Sequence, residues 1–133
     1  MVYLNLQHQV FKEIHLSVNI QKGMKLEVES TFSFNVNYVE NDTKCIACLK
    51  QEIKEKTDSS KFSVSVEGIG IFACEDINSP EDKKQAHIQS YNLLFPYVQN
   101  MISSLTISAG LPPLMIKMAN MKVEDISIEE NKL

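Results

Sequence analysis

The stretch from Ser90 to Leu114 constrains the fold most, because it predicts a long helix that is apolar on two sides. One face is formed by apolar residues at helical spacing: Leu94, Val98, Met101, Ile102, Leu105 and Ala109. The other side carries Leu93, Tyr97 and Ile107, and no Lys, Arg, Asp or Glu lies between Tyr91 and Leu111. Such a helix needs two surfaces to pack against, so we expect a sheet on one side and another copy of the helix on the other.

The ends of this helix are marked by residues with known helix-terminal preferences. Asn92 is a plausible cap, and Pro96 indicates either a first helical turn or a kink. Gly110 suits the left-handed residue after a helix, and the prolines that follow it prevent continuation. Upstream, Ser79-Pro80 predicts the capped start of a polar helical segment that leads into the apolar one. Polar residues within the stretch argue against insertion into a membrane.

Four strands are predicted before the helix, because apolar and polar residues alternate along each of them. They cover residues 4–20, 26–38 and 44–55, and a fourth strand that begins at Phe62. Phe11 is out of phase and indicates a bulge, and a phase change after Gly68 indicates another. The order of elements predicts an α+β fold: a four-stranded antiparallel meander, a long helix on one face, and a short C-terminal helix or tail. Residues 1–133 then form a single domain.

Composition excludes several classes of partner. The chain has 133 residues, a net charge of −4 and a pI of about 5.4, and all of its basic residues are lysines. Nucleic acid and anionic membranes are therefore not expected partners. No signal peptide precedes the first strand, so a cytoplasmic protein is expected. Three cysteines without a secretory signal favour reduced thiols over disulfides.

No pattern predicts catalysis, a metal site or a cofactor. Cys45 and Cys48 form a CxxC motif, but residues three apart in a strand point to opposite faces. The three histidines lie in separate elements without ligand spacing, and Glu52 and Glu55 are interpreted as part of a solvated strand face. Phosphate-binding loops and nucleophile motifs are absent from the sequence. The sequence therefore predicts a protein that is not an enzyme.

Several motifs resemble the SecB family of protein-export chaperones. The most specific is Asn92–Tyr97 (NLLFPY) followed by an apolar helix, a glycine and Leu111–Leu114 (LPPL). Weaker matches occur in the family's order at Lys25–Ser30, at Val66–Phe72 and at Asn120-Met121. The resemblance implies an ATP-independent holdase that binds non-native polypeptides and assembles as a homo-oligomer, a dimer of dimers with helices between sheets. It also implies a possible role in protein export with the SecA translocation motor.

The resemblance also implies where the sites lie. The peptide-binding groove would include residues of the second strand and three methionines of the tail: Met24, Leu26, Val28, Met115, Met118 and Met121. From composition alone, these methionines are either core filler or a contact surface. The subunit interface is expected on the second helix stripe: Leu93, Tyr97, Asn100, Ser104 and Ile107. Glu13 matches one acidic position of the motor contact, whereas Ser17 and Ser65 stand where the family has acids.

Two alternatives to an export chaperone follow from the sequence. The family's long proline-containing crossover between strands one and two is reduced here to about residues 19–23, and the acidic patch is thin. A SecB-fold interaction protein dedicated to one partner, such as an antitoxin, is therefore an alternative. A small-molecule-binding protein with a hotdog fold is less favoured, because that fold places its helix among the first strands and supplies an acid or histidine there.

Overall fold

The computed structural model describes residues 2–21 and 25–126, which form one antiparallel sheet and one long helix. The strands are β1 (Tyr3–Val18), β2 (Val28–Val39), β3 (Lys44–Glu55) and β4 (Phe62–Glu75). The helix α1 (Pro80–Ser108) follows, and a 3-10 turn lies at Val123–Asp125. The predicted α+β class and four-strand order along the chain are confirmed, and the predicted bounds of β3 match those of the structure.

The sheet order is β1-β4-β3-β2, which corrects the predicted meander. Strands β2 to β4 pair consecutively, but β1 pairs with β4 and not with β2. The connection from β1 to β2 therefore passes from one sheet edge to the other, as in a Greek key. Alternation defines which side of a strand is buried but not which strand lies beside it, so the order could not be read from periodicity.

The bulges of the sheet lie in β1. Its register against β4 shifts between Leu6 and His8 and again between Phe11 and Glu13. The bulge expected near Phe11 is thus confirmed, whereas the one expected at Gly68 is wrong. Burial alternates without interruption along β4, so Gly68 lies on the helix-covered face and Ile69 lies on the other face. The bulge was predicted because β4 has apolar residues on both faces, which resembles a change of phase in the sequence.

Helix α1 begins earlier than its apolar stretch. Ser79 has extended backbone geometry and its side chain accepts a hydrogen bond from the Asp82 amide, so the predicted cap at Ser79 is confirmed. Asn92 lies inside the helix and is not a cap. The helix continues through Pro96 for 29 residues, about 44 Å. Gly110 follows it with a φ of 81°, as expected for a residue after a helix end.

The core lies between α1 and one face of the sheet. Buried residues of β3 and β4 meet the predicted helix face at Leu94, Val98 and Ile102. Two glycines of β4 allow the helix to approach closely: a Cβ at Gly68 would lie 2.8 Å from Val98 Cγ2, and one at Gly70 would lie 3.3 Å from Leu94 Cδ1. Close approach at this point places the two flanks of the helix over β1 on one side and over β2 on the other.

Candidate functional site

The predicted groove residues lie on the helix-covered side of the sheet, towards the β2 edge. Val28 is the first residue of β2, and Leu26 precedes it; both are half-buried and pack against the core. Met24 lies outside the described residues. Further along the same face, Phe32 is 43% exposed, and its ring centroid lies 5.7 Å from that of Tyr91. An apolar edge of the site is therefore formed by β2.

Aromatic rings connect β2 with the helix. Phe34 contacts His87 edge-to-face with centroids 4.9 Å apart, and it contacts Tyr91 at 5.3 Å. Tyr91 in turn lies 5.8 Å from Phe95. Burial lowers the pKa of His87, so the imidazole is held in its neutral form among these rings. Tyr91 and Phe95 are themselves buried, so this ring cluster joins β2 to the helix as part of the core.

The chain after the helix forms the other side of the site. Residues 111–122, here termed the return segment, have no regular secondary structure and run back along α1. Met121 packs against the core, whereas Met115 is 77% exposed and Met118 is 43% exposed. Of the two possibilities left open for these methionines, Met121 is thus core and the other two are surface residues. Of the predicted short C-terminal helix or tail, the described part contains one 3-10 turn at Val123–Asp125, and residues 127–133 lie outside the described residues.

Buried polar side chains on α1 hold the return segment, and the sequence analysis had not identified them. Gln99 is 6% exposed; its Oε1 accepts a hydrogen bond from Ile116 N, and its Nε2 donates to Leu114 O, both at 2.8 Å. Tyr91 Oη accepts from the amide of Ala119 at 2.9 Å. A glutamine and a tyrosine inside an apolar helix were the available signal, because buried polar groups are almost always hydrogen-bonded.

A buried carboxylate anchors the start of β2. Glu55 accepts hydrogen bonds from Glu27 N at 2.9 Å and from Thr57 Oγ1 at 3.0 Å. Burial raises its pKa, but the hydrogen bonds from Thr57 and Glu27 outweigh that effect, so the pKa lies below its usual value. Glu55 is only 7% exposed, which corrects the prediction that Glu52 and Glu55 share a solvated face. The carboxylate thereby fixes the backbone next to Leu26 and Val28.

The five predicted interface residues form an exposed stripe on α1. Leu93, Tyr97 and Ile107 are 43%, 44% and 56% exposed, and Asn100 and Ser104 are also exposed. Beside the stripe, a cavity of about 240 Å³ opens between the helix and β1 and is lined by Gln9, Phe11, Tyr97, Asn100, Met101 and Ser104. Gln9 Nε2 is buried there without a hydrogen-bond partner among the described residues.

The face of the sheet away from the helix is apolar at its centre and charged around it. Val10 is 40% exposed, and Ile46, Ile69 and Ile71 are half-buried. Glu13 lies on this face, and Lys50 Nζ lies 3.7 Å from its carboxylate and 3.4 Å from that of Glu52. Glu13 and Glu52 on this face are therefore each paired with a lysine.

The cysteines lie as the strand geometry requires. Cys45 is buried against the helix, and Cys48 lies on the opposite face, so the expectation that the CxxC pair is split between two faces is confirmed. Burial and a 3.0 Å hydrogen bond to Glu67 raise the pKa of the Cys48 thiol to about 11. Within residues 2–21 and 25–126, no group of three or more His, Cys, Asp or Glu side chains is placed to hold a metal ion. Over the same residues, no helix combines the length and hydropathy needed to cross a membrane.

Comparison with known proteins identifies the family. The sequence profile described as preprotein translocase subunit SecB matches residues 2–124. The chain belongs to the SecB family. This confirms the resemblance seen in the NLLFPY and LPPL motifs, and with it the predicted class, which is one of chaperones and not of enzymes.

Relatives of the chain include archaeal and bacterial proteins. An uncharacterised protein of Methanocaldococcus jannaschii is 30% identical, over 97% of this chain and 86% of the relative. The protein-export protein SecB of Ehrlichia canis is 26% identical, over 83% of this chain and 68% of the relative. The structure of the SecB-like chaperone Rv1957 of Mycobacterium tuberculosis, in complex with a ChAD peptide from the antitoxin HigA1, has a TM-score of 0.67 at 14% identity, with 88% of each chain covered. That likeness confirms the SecB-type fold.

Proposed function

We propose that this SecB-family chain is an ATP-independent holdase that binds non-native polypeptides in extended form on the helix-covered side of its sheet. The observation that carries the proposal is a set of partly exposed apolar side chains at the start of β2, along β2 and on the return segment: Leu26, Val28, Phe32, Met115 and Met118. Unfolded chains expose similar apolar side chains, and methionines adapt to irregular partners. The outer backbone of β2, an edge strand, is available for pairing with an extended segment.

Suppression of aggregation tests this proposal. A chemically denatured protein is diluted into buffer without nucleotide, and its light scattering is followed with and without the chain. We expect scattering to fall in proportion to the chain added, because bound apolar segments are withheld from self-association. Equal scattering at a molar excess of folded chain would contradict the holdase proposal. Serum albumin at equal mass controls for non-specific crowding.

We further propose that the chain assembles as a homo-oligomer through the exposed stripe of α1, as a dimer or a dimer of dimers. Three exposed apolar residues on one helix face support this, together with the adjoining cavity between α1 and β1. Burial of this surface removes apolar area from water at about 25 cal/mol per Å², before the cost of association.

A second candidate function is binding of one dedicated protein partner, instead of many clients in general protein export. The paired charges on the outer face of the sheet favour it, since Glu13 and Glu52 are paired with Lys50 and Lys54 and offer little to a basic motor surface. The Mycobacterium relative of the same fold binds a peptide from an antitoxin. A pull-down with this chain as bait separates the two roles: one dominant partner supports dedication, and many unfolded proteins support export.

A further inference from the structure

The backbone of the return segment makes several hydrogen bonds to side chains of the helix. Three of its amides donate to helix side chains: Leu114 N to Thr106 Oγ1 at 3.3 Å, Ile116 N to Gln99 Oε1 at 2.8 Å, and Ala119 N to Tyr91 Oη at 2.9 Å. The carbonyl of Leu114 accepts from Gln99 Nε2 at 2.8 Å and from Ser103 Oγ at 3.1 Å. The helix numbers fall as the segment numbers rise, so the segment runs antiparallel to α1.

The four helix residues that make these bonds, Tyr91, Gln99, Ser103 and Thr106, are here termed the polar flank. Their spacings of eight, four and three residues keep them on one flank of α1. Among the described residues, their other hydrogen bonds with the segment are one from Leu111 N to Thr106 O at 3.0 Å and two long ones, from Gln99 Nε2 and Ser103 Oγ to the Met115 thioether at 3.7 and 3.8 Å. Gln99 bonds a carbonyl and an amide two residues apart, as the peptide group of a neighbouring strand would do. The flank thus recognises an extended backbone with little regard to side chains.

The burial of the two partners is unequal. Tyr91 and Thr106 are 1% and 0% exposed, whereas none of the residues of the return segment is fully buried. Buried polar groups are costly unless they are hydrogen-bonded, so the flank favours a backbone partner over an apolar one. It does not require this particular partner, because any extended segment carries the same amides and carbonyls. Because the side chains of the segment are only half-buried or exposed, another polypeptide segment can replace it.

We propose that the polar flank is a main-chain binding site for extended polypeptides, and that the return segment occupies it as an internal substitute that a client displaces. This rests on the proposed holdase function and deepens it. The side chains of the segment that turn inward are Leu111, Leu114, Ile116, Ala119 and Met121. A client segment that fits the site therefore has apolar residues two or three apart and no proline at the positions of the three donating amides.

Hydrogen exchange on the intact chain tests the displacement. The probe is a permanently unfolded polypeptide, reduced and carboxymethylated lactalbumin, added to the isotope-labelled chain. We expect the amides of Leu114, Ile116 and Ala119 to exchange faster in the complex. Most other amides should exchange at the same rate or more slowly. Unchanged or slower exchange at these three amides, with the probe bound, would overturn the inference and leave the holdase function standing. Absence of any binding would overturn both.

A pair of proline variants tests the competition. Ile116→Pro removes an amide that bonds Gln99, whereas Lys117→Pro alters the next, exposed position, whose amide makes no bond among the described residues. Release of the segment frees the flank, so Ile116→Pro should tighten binding of the same probe by about tenfold, the value of roughly one hydrogen bond. Lys117→Pro should leave the affinity unchanged. Equal affinities for both variants and the wild type would contradict displacement.

A third comparison separates recognition of the client from simple fastening of the segment. In the Ile116→Pro chain, Gln99→Leu should weaken probe binding by roughly tenfold to a hundredfold, because the client loses the same two bonds as the segment. Gln89→Leu is the matched control, because Gln89 lies elsewhere on the helix and its Nε2 donates a hydrogen bond to Val2 O before β1. If Gln99 served only to fasten the return segment, its loss in this background would not change the affinity, and the inference would be wrong.

Discussion

Gly68 in β4 and Val98 in α1 are in direct contact, and the glycine leaves no space for a side chain. A Cβ on Gly68 would lie 2.8 Å from Val98 Cγ2, which is closer than atoms approach in packed interiors. The contact lies at the centre of the helix, between Tyr91 and Thr106 of the polar flank. The distance between sheet and helix at this point therefore determines how deeply the flank is buried.

Gly68→Ala should lower the free energy of unfolding by about 1–3 kcal/mol, because the added methyl group forces Val98 and the helix outward. Chemical denaturation measures the change. Ser65→Ala in the same strand is the matched control. The Ser65 hydroxyl is buried without a partner among the described residues, so its removal should be neutral or slightly stabilising. Similar destabilisation by both variants would contradict the close-packing explanation.

Tyr97→Asp and Ile107→Asp should each give smaller species on a sizing column, because a charge in the centre of an apolar interface is costly. Gln85→Asp places the same charge at an exposed position about two turns before Leu93 and should leave the elution unchanged. A wild-type chain that is monomeric at micromolar concentration would contradict the proposed interface.

Leu26→Ser with Val28→Ser should weaken suppression of aggregation if these residues border the groove. Both also pack against the core, so the double variant should lower the melting temperature as well. Phe32→Ser separates the two effects, since Phe32 is 43% exposed and contributes less to the core. We expect Phe32→Ser to reduce client binding with a smaller loss of stability. Full chaperone activity in both variants would place the groove elsewhere.

Binding to the SecA motor should be weak or undetectable at physiological salt, where charges are screened over about 8 Å. Glu13 is paired with Lys50, and Ser17 and Ser65 supply no charge on the same face. Ser17→Glu with Ser65→Glu should strengthen binding in a salt-dependent way, as measured by calorimetry at two ionic strengths. Submicromolar binding by the unmodified chain would contradict this prediction.

Stability should fall as the pH falls below about 6.5, through the contribution of His87. Burial lowers the pKa of this side chain below its ordinary value of 6.5, so the unfolded chain takes up the proton at a higher pH than the folded one. Unfolding is thereby favoured between that value and the lower pKa of the folded state. His87→Gln should remove this part of the pH dependence in denaturation curves, whereas His15→Gln, at an exposed position, is the matched control.

Local features of the chain could be predicted because their causes are local. Strand β3 alternates without exception, Ser79 and Gly110 carry the side-chain and backbone preferences of helix ends, and the apolar stripe at Leu94 and Val98 faces the sheet as expected. Each of these depends on a few neighbouring residues. The family motif likewise lies within one continuous stretch.

The features that could not be predicted depend on contacts between residues that are distant in the chain. Alternation in β1 is the same whether the strand pairs with β2 or with β4, so the sheet order emerged only from packing. Ile69 suggested a phase change because β4 has apolar residues on both faces, and periodicity alone does not distinguish this from a bulge. The role of Gln99 was hidden for the same reason: its partners Leu114 and Ile116 are 15 and 17 residues away. The elements and their apolar faces therefore follow from local sequence. The pairing of strand edges and the hydrogen bonds of buried polar groups are long-range, and they are established only in the folded chain.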